Sequence, residues 1–188
     1  GDAFSDEMKA DVIKYIKEEF GGKIDLLIYS LASALRTDPK DGVTYRSALK
    51  STKEEIVGPS INLEKEAMEE TVMGIATPEE IHSTVKVMGG EDWKLWVDAL
   101  DEAGVLTDGF KTVAYSYLGP KVTYGIYKDG TIGAAKRDLE HTSDVLNDFL
   151  KKKYNGEAYV SLSKALMTRA SAVIPIFPLY AACLLYTS

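Results

Sequence analysis

Ile24-Asp25-Leu26-Leu27-Ile28-Tyr29-Ser30 is the stretch that decides the fold. The run is short, nearly continuous in apolar character and rich in branched side chains, which is typical of a strand covered on both faces in a parallel sheet. A helix is predicted just before it, because apolar residues recur at helical spacing between a potential N-cap at Ser5 and a stop at Gly21-Gly22. A helix followed at once by a buried strand indicates an α/β protein.

Two more strands are predicted further along the chain, at residues 111–116 and 157–163. A helix is predicted before each of them: one is capped by Asp92 and ends near Gly104, and a long amphipathic one begins after Gly130. The first of these helices carries an apolar face formed by Trp93, Trp96, Val97 and Leu100. This alternation predicts βαβ units with right-handed crossovers, and therefore a doubly wound parallel sheet with helices on both faces.

Residues 35–90 interrupt the alternation. The segment contains the turn signals Asp38-Pro39 and Asp41-Gly42 and continues into the charge-rich run 63–70, which we predict to be helical. The glutamates of that run are expected to form a solvated face rather than a cation site, because they lie so close in sequence on one helix. The whole segment is predicted to be an inserted, partly exposed excursion.

The composition disfavours several classes of partner. The 188 residues suffice for one domain, and 45% hydrophobic with 27% charged residues is ordinary globular usage. A formal net charge of -7 disfavours nucleic acid, which is bound through clustered Lys and Arg. The single cysteine, Cys183, fits a reducing, cytoplasmic setting. The longest apolar run, residues 172–186, holds two prolines and is shorter than the roughly 20 residues of a membrane span, so we predict that it is buried.

Motifs for several common chemistries do not occur in the sequence. Neither the dinucleotide fingerprint G-x-G-x-x-G nor the phosphate loop G-x4-G-K-[ST] is found. His82 and His141 lack the short ligand spacings of zinc sites, so no metal site is predicted. Without a G-x-S-x-G elbow, serine hydrolase chemistry is not supported either.

Tyrosines are concentrated just after the second predicted strand, at Tyr115, Tyr117, Tyr124 and Tyr127, and Lys136 follows on the next helix. In a doubly wound sheet, ligands bind outside the carboxyl ends of the strands, where this cluster lies. A tyrosine can donate a proton near neutral pH if a lysine ammonium stabilises its phenolate. At roughly 4 Å and an effective dielectric near 20, that attraction is about 4 kcal/mol before desolvation. The alternative is that these rings only pack, with their hydroxyls hydrogen-bonded.

The nine positions between Tyr127 and Lys136 place a condition on the fold. At about 100° per residue, the two side chains would point to opposite sides of one unbroken helix. Asp129-Gly130 lies between them, and Thr131 can cap a new helix. We therefore predict a break that swings Tyr127 toward the face presenting Lys136.

Six sequence blocks follow one another along the chain: Gly-Asp-Ala-Phe-Ser-Asp at 1–6, Tyr-Ser-Leu-Ala-Ser at 29–33, Val-Met-Gly-Gly-Glu-Asp-Trp at 87–93, Ala-Tyr-Ser-Tyr-Leu-Gly-Pro at 114–120, Gly-Thr-Ile-Gly at 130–133 and Thr-Arg-Ala-Ser-Ala at 168–172. In content and order they resemble the trans-2-enoyl-CoA reductases and FabV-type enoyl-ACP reductases, large monomeric relatives of the short-chain dehydrogenases. The resemblance covers residues 1–182. It implies a partial NAD(H)-binding and catalytic domain of Rossmann-like, short-chain dehydrogenase type, incomplete at both ends, with residues 183–188 as a non-native tail.

The resemblance also implies a reaction and a set of site residues. In the family a Tyr-x8-Lys pair is catalytic, which implies that Tyr127 donates a proton to the thioester enolate and that Lys136 binds the nicotinamide ribose of NADH. Tyr117 matches the position that contacts the substrate carbonyl. Contacts with NADH are implied for Asp2 and Ala3 on the adenine side, Leu31 and Ala32 near the ribose, and Leu166, Met167 and Thr168 at the carboxamide. The expected substrates are enoyl-CoA or enoyl-ACP thioesters of fatty-acid metabolism.

Two departures from the family affect these expectations. The family's glycine-rich dinucleotide loop is not in this sequence, so the chain by itself is expected to be inactive. Some family members carry a second lysine where this chain has Arg137.

A carbonyl reductase of the same fold and a non-catalytic nucleotide-binding module are the alternative functions. The residues leave open CoA against acyl carrier protein, acyl chain length, and NADH against NADPH.

Overall fold

The computed structural model describes residues 1–31, 33–62, 65, 67–117 and 124–163, and for Ile126 and Tyr127 it describes the backbone alone. In chain order the elements are α1 (Asp6–Glu19), β1 (Ile24–Tyr29), β2 (Leu35–Thr37), β3 (Thr44–Arg46), β4 (Ile56–Asn62), β5 (Ala67–Met73), α2 (Pro78–Met88), α3 (Glu91–Glu102), β6 (Leu106–Tyr117), α4 (Tyr124–Tyr127), α5 (Thr131–Tyr154) and β7 (Glu157–Ser163). Among the described helices, none combines the length and the apolar character that crossing a bilayer requires.

The first helix begins and ends where the sequence predicts. The side chain of Ser5 accepts a hydrogen bond from the Met8 amide at 3.1 Å, which satisfies one of the free N–H groups of the first turn. At the other end, Gly21 and Gly22 adopt positive φ angles of 68° and 81°, and the Gly22 amide donates to the Ile16 carbonyl at 3.0 Å. The helix is thus closed at both ends by local residues.

The three predicted strands form one parallel sheet in the order β1-β6-β7. β6 lies in the centre, pairing with β1 from Ile24 onward and with β7 along its carboxyl half. It begins at Leu106, five residues before the predicted start. The parallel α/β architecture predicted from the sequence is therefore confirmed.

Three helices, α1, α3 and α5, pack on one face of this sheet. The core between them is built around Trp93, Phe110 and Ala114, all fully buried, and the Trp93 indole N–H donates to the Thr112 hydroxyl at 2.9 Å. On the opposite face four residues are each about half exposed: Leu26, Ile28, Tyr115 and Tyr159. Within the described part of the chain the helices therefore cover one face, and the predicted covering of both faces is not found there.

Helix α3 corrects one prediction about its start. Its N-cap is Gly90, and Asp92 is the second helical residue rather than the cap. Asp92 is buried and accepts from the Lys9 ammonium at 3.0 Å and from the Tyr29 hydroxyl at 3.1 Å. Burial raises the pKa of both Asp92 and Tyr29, and the Lys9 charge opposes the shift at Asp92. Asp92, predicted to cap the helix, thus pairs with the buried Lys9 ammonium instead.

The excursion consists of two antiparallel hairpins, β2–β3 and β4–β5, followed by α2. The prediction of a helix over 63–70 is wrong for residues 67–70, which belong to strand β5 and pair with β4, Glu69 opposite Ser60 and Glu70 opposite Pro59. Pairing across the hairpin overrides the helical preference of the glutamates. Both glutamates are exposed, as expected for a solvated face.

A buried ion network joins the excursion to α3. Arg36 and Asp38 of the first hairpin are almost fully inaccessible to solvent. The Lys86 ammonium bonds to Asp38 at 2.7 Å and to Glu91 at 2.9 Å, and the Arg36 guanidinium donates to Glu91 at 2.9 Å. The neighbouring Lys86 ammonium helps to hold the pKa of Asp38 below its ordinary value against the opposing effect of burial. The turn at Asp38-Pro39 is therefore tied into the body of the protein.

Replacing Lys9 with methionine should destabilise the protein by about 3 kcal/mol, because Asp92 would remain buried without its counter-charge. Urea denaturation measures this difference. Lys94→Met is the matched control, since Lys94 forms an exposed pair with Asp98 on the same helix α3 and should change stability by less than about 1 kcal/mol. Equal effects of the two substitutions would contradict the structural role of the buried pair.

Candidate active site

The helical structure is interrupted between Tyr127 and Lys136, as predicted. Helix α4 ends at Tyr127, residues 128–130 form a turn, and α5 begins at Thr131. The Lys128 and Asp129 amides both donate to the Tyr124 carbonyl, at 2.9 and 2.7 Å, which closes the short helix. The straight-helix geometry that would set Tyr127 and Lys136 back to back is therefore excluded.

The capping role predicted for Thr131 is wrong. The N-cap of α5 is Gly130, with extended backbone angles and no side-chain cap, and Thr131 is the first helical residue. Its hydroxyl is instead hydrogen-bonded to the Ala48 carbonyl and to the Lys50 amide, both in the excursion. The Thr131 hydroxyl therefore makes a tertiary contact instead of capping α5.

The turn and α5 approach each other so closely that Gly133 has no room for a side chain. A Cβ placed there would lie 2.6 Å from the carbonyl carbon of Lys128 and 3.0 Å from its Cα. The Lys128 carbonyl also accepts from the Arg137 guanidinium at 3.1 Å. Arg137, the residue that departs from the family pattern, therefore links α5 to the turn.

Lys136 is half-buried in the second turn of α5 and contacts the end of β6. Its ammonium donates to the main-chain carbonyl of Tyr117 and lies 3.6 Å from the centroid of the Tyr117 ring. Such a contact is favourable by about 1–2 kcal/mol when partly desolvated. The structure thus brings together two of the predicted site residues, which are 19 positions apart in sequence.

Burial changes the acid strength of this ammonium group. Desolvation lowers the pKa of Lys136 from 10.5 to about 8, and the charge of Glu140 one turn along α5 opposes that shift. The group is then mostly protonated at neutral pH and loses its charge just above it. A cation placed at the carboxyl end of a central parallel strand can bind ligand hydroxyls and stabilise a nearby phenolate.

Other predicted site residues lie at the same edge of the sheet. Leu31 follows β1 and is exposed. Asp2 and Ala3 precede α1. The carboxyl end of α1 leads through a short turn into the start of β1, so the amino end of α1 lies at the edge where β1 ends. The Asp2 carboxylate accepts from the Phe4 amide at 3.0 Å, and the Ala3 carbonyl accepts from the Trp96 indole at 3.1 Å. These contacts hold the amino-terminal residues in place.

Several predicted contacts fall outside the described residues. They are Ala32, the side chain of Tyr127, and Leu166, Met167 and Thr168. Their roles stay predictions, as does the meeting of Tyr127 with Lys136.

Sequence reasoning missed the segment 48–53, which reaches the turn from more than 75 positions upstream. It is a short stretch between β3 and β4 with no periodic pattern of its own. No local signal marks it, because its hydrogen bonds to Asp129 and Thr131 exist only in the folded chain. Glu140 was also missed, although its spacing of four from Lys136 on a helix is a recognisable signal.

The comparisons with known proteins identify the family. The sequence profile described as the trans-2-enoyl-CoA reductase catalytic region matches residues 1–187. The chain belongs to this family. The family resemblance seen in the six sequence blocks is thereby confirmed.

Members of this family with established names are close to the chain in sequence. The enoyl-acyl-carrier-protein reductase (NADH) 2 of Photobacterium profundum is 55% identical over 180 residues, covering 96% of this chain and 45% of that relative. The trans-2-enoyl-CoA reductase (NADH) of Clostridium beijerinckii is 55% identical over 184 residues, covering 98% and 46%. This chain thus spans less than half the length of either relative.

A solved structure agrees with the fold. The crystal structure of the trans-2-enoyl-CoA reductase of Clostridium acetobutulicum in complex with NADH matches with a TM-score of 0.93 at 49% identity, covering 98% of this chain and 46% of that one. The Rossmann-like fold class predicted from the sequence is confirmed.

The depressed pKa of Lys136 predicts a pH dependence of stability. Because the folded-state pKa is about 8 and the ordinary value 10.5, the desolvation penalty is fully present below pH 8 and disappears as the pH rises to 10.5. Relative to Lys136→Met, the unsubstituted protein should therefore gain about 2 kcal/mol of unfolding free energy across this window, a figure reduced for partial exposure.

Urea denaturation of both proteins at about pH 7 and about pH 10 measures this gain, since other titrating groups contribute equally to each. A difference in unfolding free energy that stays constant with pH would show that the ammonium group is not desolvated in the folded protein.

Proposed function

We propose that this protein reduces the trans-2 double bond of enoyl thioesters with NADH, with Tyr127 as proton donor, Lys136 as its cationic partner and Tyr117 at the substrate carbonyl. The observation that carries the proposal is the Lys136 ammonium held against Tyr117 at the carboxyl end of β6, next to a helix break. Membership of the trans-2-enoyl-CoA reductase family supports it.

The residues at this edge fit a dinucleotide. The Lys136 ammonium is a donor for ribose hydroxyls, and the exposed Leu31 offers an apolar surface beyond β1. Asp2 and Ala3 lie at the same edge, on the side of α1 and α3. We assign NADH to this edge, with Ala32, Leu166, Met167 and Thr168 as further contacts, because relatives are named for NADH and one is solved with it.

When bound, NADH supplies a hydride to the β-carbon of the enoyl thioester. The electron pair of the double bond then moves toward the thioester carbonyl, where negative charge develops. Tyr127 and Tyr117 place hydroxyl donors at that oxygen, and Tyr127 delivers the proton that completes the reduction. Stabilising this charge more strongly than the ground state is the catalytic effect.

Lys136 contributes through its charge. An ammonium group close to a phenol favours the phenolate, so it makes Tyr127 a better proton donor. Because its own pKa is about 8, this help declines as the pH rises above that value. The same group binds the ribose, so loss of charge should weaken both functions together.

The relatives agree on an enoyl thioester but differ in its carrier. A relative named for acyl carrier protein and one named for CoA are each 55% identical to this chain. We therefore propose enoyl thioesters as the substrate class, and a monomeric, cytoplasmic enzyme as the family resemblance implies. The 188 residues alone should turn over no substrate, because the glycine-rich loop that cradles a pyrophosphate is not among them.

In the full-length protein, Tyr127→Phe should remove nearly all turnover of crotonyl-CoA, by roughly a hundredfold or more, because the proton donor is lost. Binding of NADH, measured by fluorescence titration, should remain, since the phenol is assigned to proton transfer. The matched control is Tyr45→Phe, which removes a hydroxyl whose hydrogen bond to Asp41, in the β2–β3 hairpin, is exposed to solvent.

Normal turnover by Tyr127→Phe would refute the assignment. Reduction of simple ketones in place of crotonyl-CoA would indicate a carbonyl reductase. NADH binding without turnover of either substrate would indicate a non-catalytic nucleotide-binding module.

A further inference from the structure

The turn between Tyr127 and Lys136 is held by a segment from the excursion. We call residues 48–53, between β3 and β4, the clamp segment. The backbone amide and the hydroxyl of Thr52 both donate to the carbonyl of Asp129, at 3.0 and 2.6 Å. On the other side of the turn, the Thr131 amide donates to the Lys50 carbonyl at 2.9 Å. The clamp segment therefore forms hydrogen bonds with the turn and with the first residue of α5.

Buried groups complete this contact. The Thr131 hydroxyl donates to the Ala48 carbonyl and accepts from the Lys50 amide at 3.3 Å. Ser51 forms an antiparallel bridge with Gly130. Thr131 and Ser51 are almost completely inaccessible to solvent. These hydrogen bonds are thus partly shielded from competition with water.

The clamp segment is itself fixed to the rest of the excursion. The Ser51 carbonyl accepts from the Ala76 amide at 2.8 Å, just before α2. The Ala48 amide donates to the Thr84 hydroxyl of α2 at 3.0 Å. Lys50 forms an ion pair with Glu80 at 2.6 Å. The clamp segment is therefore bonded to α2 on one side and to the turn 128–130 on the other.

Local contacts restrain the first part of the turn, where the Lys128 and Asp129 amides donate to the Tyr124 carbonyl. The Lys128 carbonyl also accepts from the Arg137 guanidinium.

The start of α5 has less local support. Gly130 caps α5 without a side-chain hydrogen bond, so the first turn of the helix lacks the usual local partner. The Lys53 ammonium adds an exposed ion pair with Asp129 at 3.0 Å, which contributes little. Together with these local contacts, the partly buried hydrogen bonds of Thr52 and Thr131 fix the turn and the start of α5.

We propose that the clamp segment positions the catalytic pair: it holds the turn 128–130 so that Tyr127, on α4, faces the same ligand as Lys136, on α5. Thr52 and Thr131 are the positioning residues. This inference rests on the proposed function of Tyr127 and Lys136. It gives the excursion a role in catalysis, although none of the clamp residues needs to touch substrate.

Thr52→Val in the full-length protein is the first test, because valine keeps the shape of threonine and removes the hydroxyl bonded to Asp129. Misplacing a reacting group by about 1 Å lowers turnover by tenfold to a hundredfold, so kcat with crotonyl-CoA should fall by about that factor. Since Lys136 lies beyond the turn on α5, KM for NADH should change by less than about twofold. Thr52→Ser, which restores the hydroxyl, should restore kcat.

Thr107→Val is the matched control. Its hydroxyl is also hydrogen-bonded, to Asp25 and the Ile24 carbonyl, but it lies at the opposite end of β6. This variant should leave kcat and KM unchanged. Thr131→Val, which removes the hydroxyl bonded to the clamp segment, should lower kcat in the same manner. NADH binding, measured alongside, should stay intact and so show that the variant is folded.

A double substitution separates positioning from general destabilisation. If Thr52 acts through Tyr127, Thr52→Val should cause no further loss of the residual turnover of Tyr127→Phe. Equal losses in both backgrounds, or an unchanged kcat in folded Thr52→Val, would overturn the clamp. Normal turnover of Tyr127→Phe alone would instead refute the reaction assignment, so the two failures are distinguishable.

Discussion

Helix geometry imposes the constraint on which the site depends. Each helical residue turns by about 100°, so a tyrosine and a lysine nine positions apart cannot share a face of one helix. The chain meets this constraint by ending α4 at Tyr127 and starting α5 at Thr131. Starting a new helix exposes backbone N–H groups that need partners, and here one partner, the Lys50 carbonyl, comes from the excursion. The new helix thus begins against the excursion.

Charged groups are buried or partly buried in this protein where one element contacts another. The Lys9–Asp92 pair joins α1 to α3 beneath Tyr29, and the Lys86–Glu91 pair joins α2 to α3. Such pairs add little net stability, because desolvation offsets much of the Coulomb attraction, but an element that moved would leave a charge unpaired. They therefore define relative positions more than they stabilise the fold. Lys136 has a similar cost, visible in its depressed pKa, and its charge lies at the edge of the sheet to which we assign NADH.

Periodic patterns made most of the architecture predictable. The apolar run of β1, the helix between Ser5 and Gly21, and the break before Thr131 all follow from spacing, capping and backbone geometry. The acidic residues of β5 misled the same reasoning, because a strand of a two-stranded hairpin is stabilised by pairing with β4 rather than by its own propensity. Asp92 and Thr131 misled it in another way, since both are good capping residues that the folded chain uses for distant partners.

The sequence by itself determined the alternation of helices and strands outside the excursion, the parallel sheet, the need for a helix break and the family resemblance, because these depend on neighbours within a few positions or on shared motifs. Tertiary structure alone decided that Lys136 lies against Tyr117, that Asp92 pairs with Lys9, and that Thr52 holds the turn at Asp129. The physical reason is that a hydrogen bond between residues 77 positions apart leaves no periodic trace in the chain. It forms only when packing has already brought the two segments together.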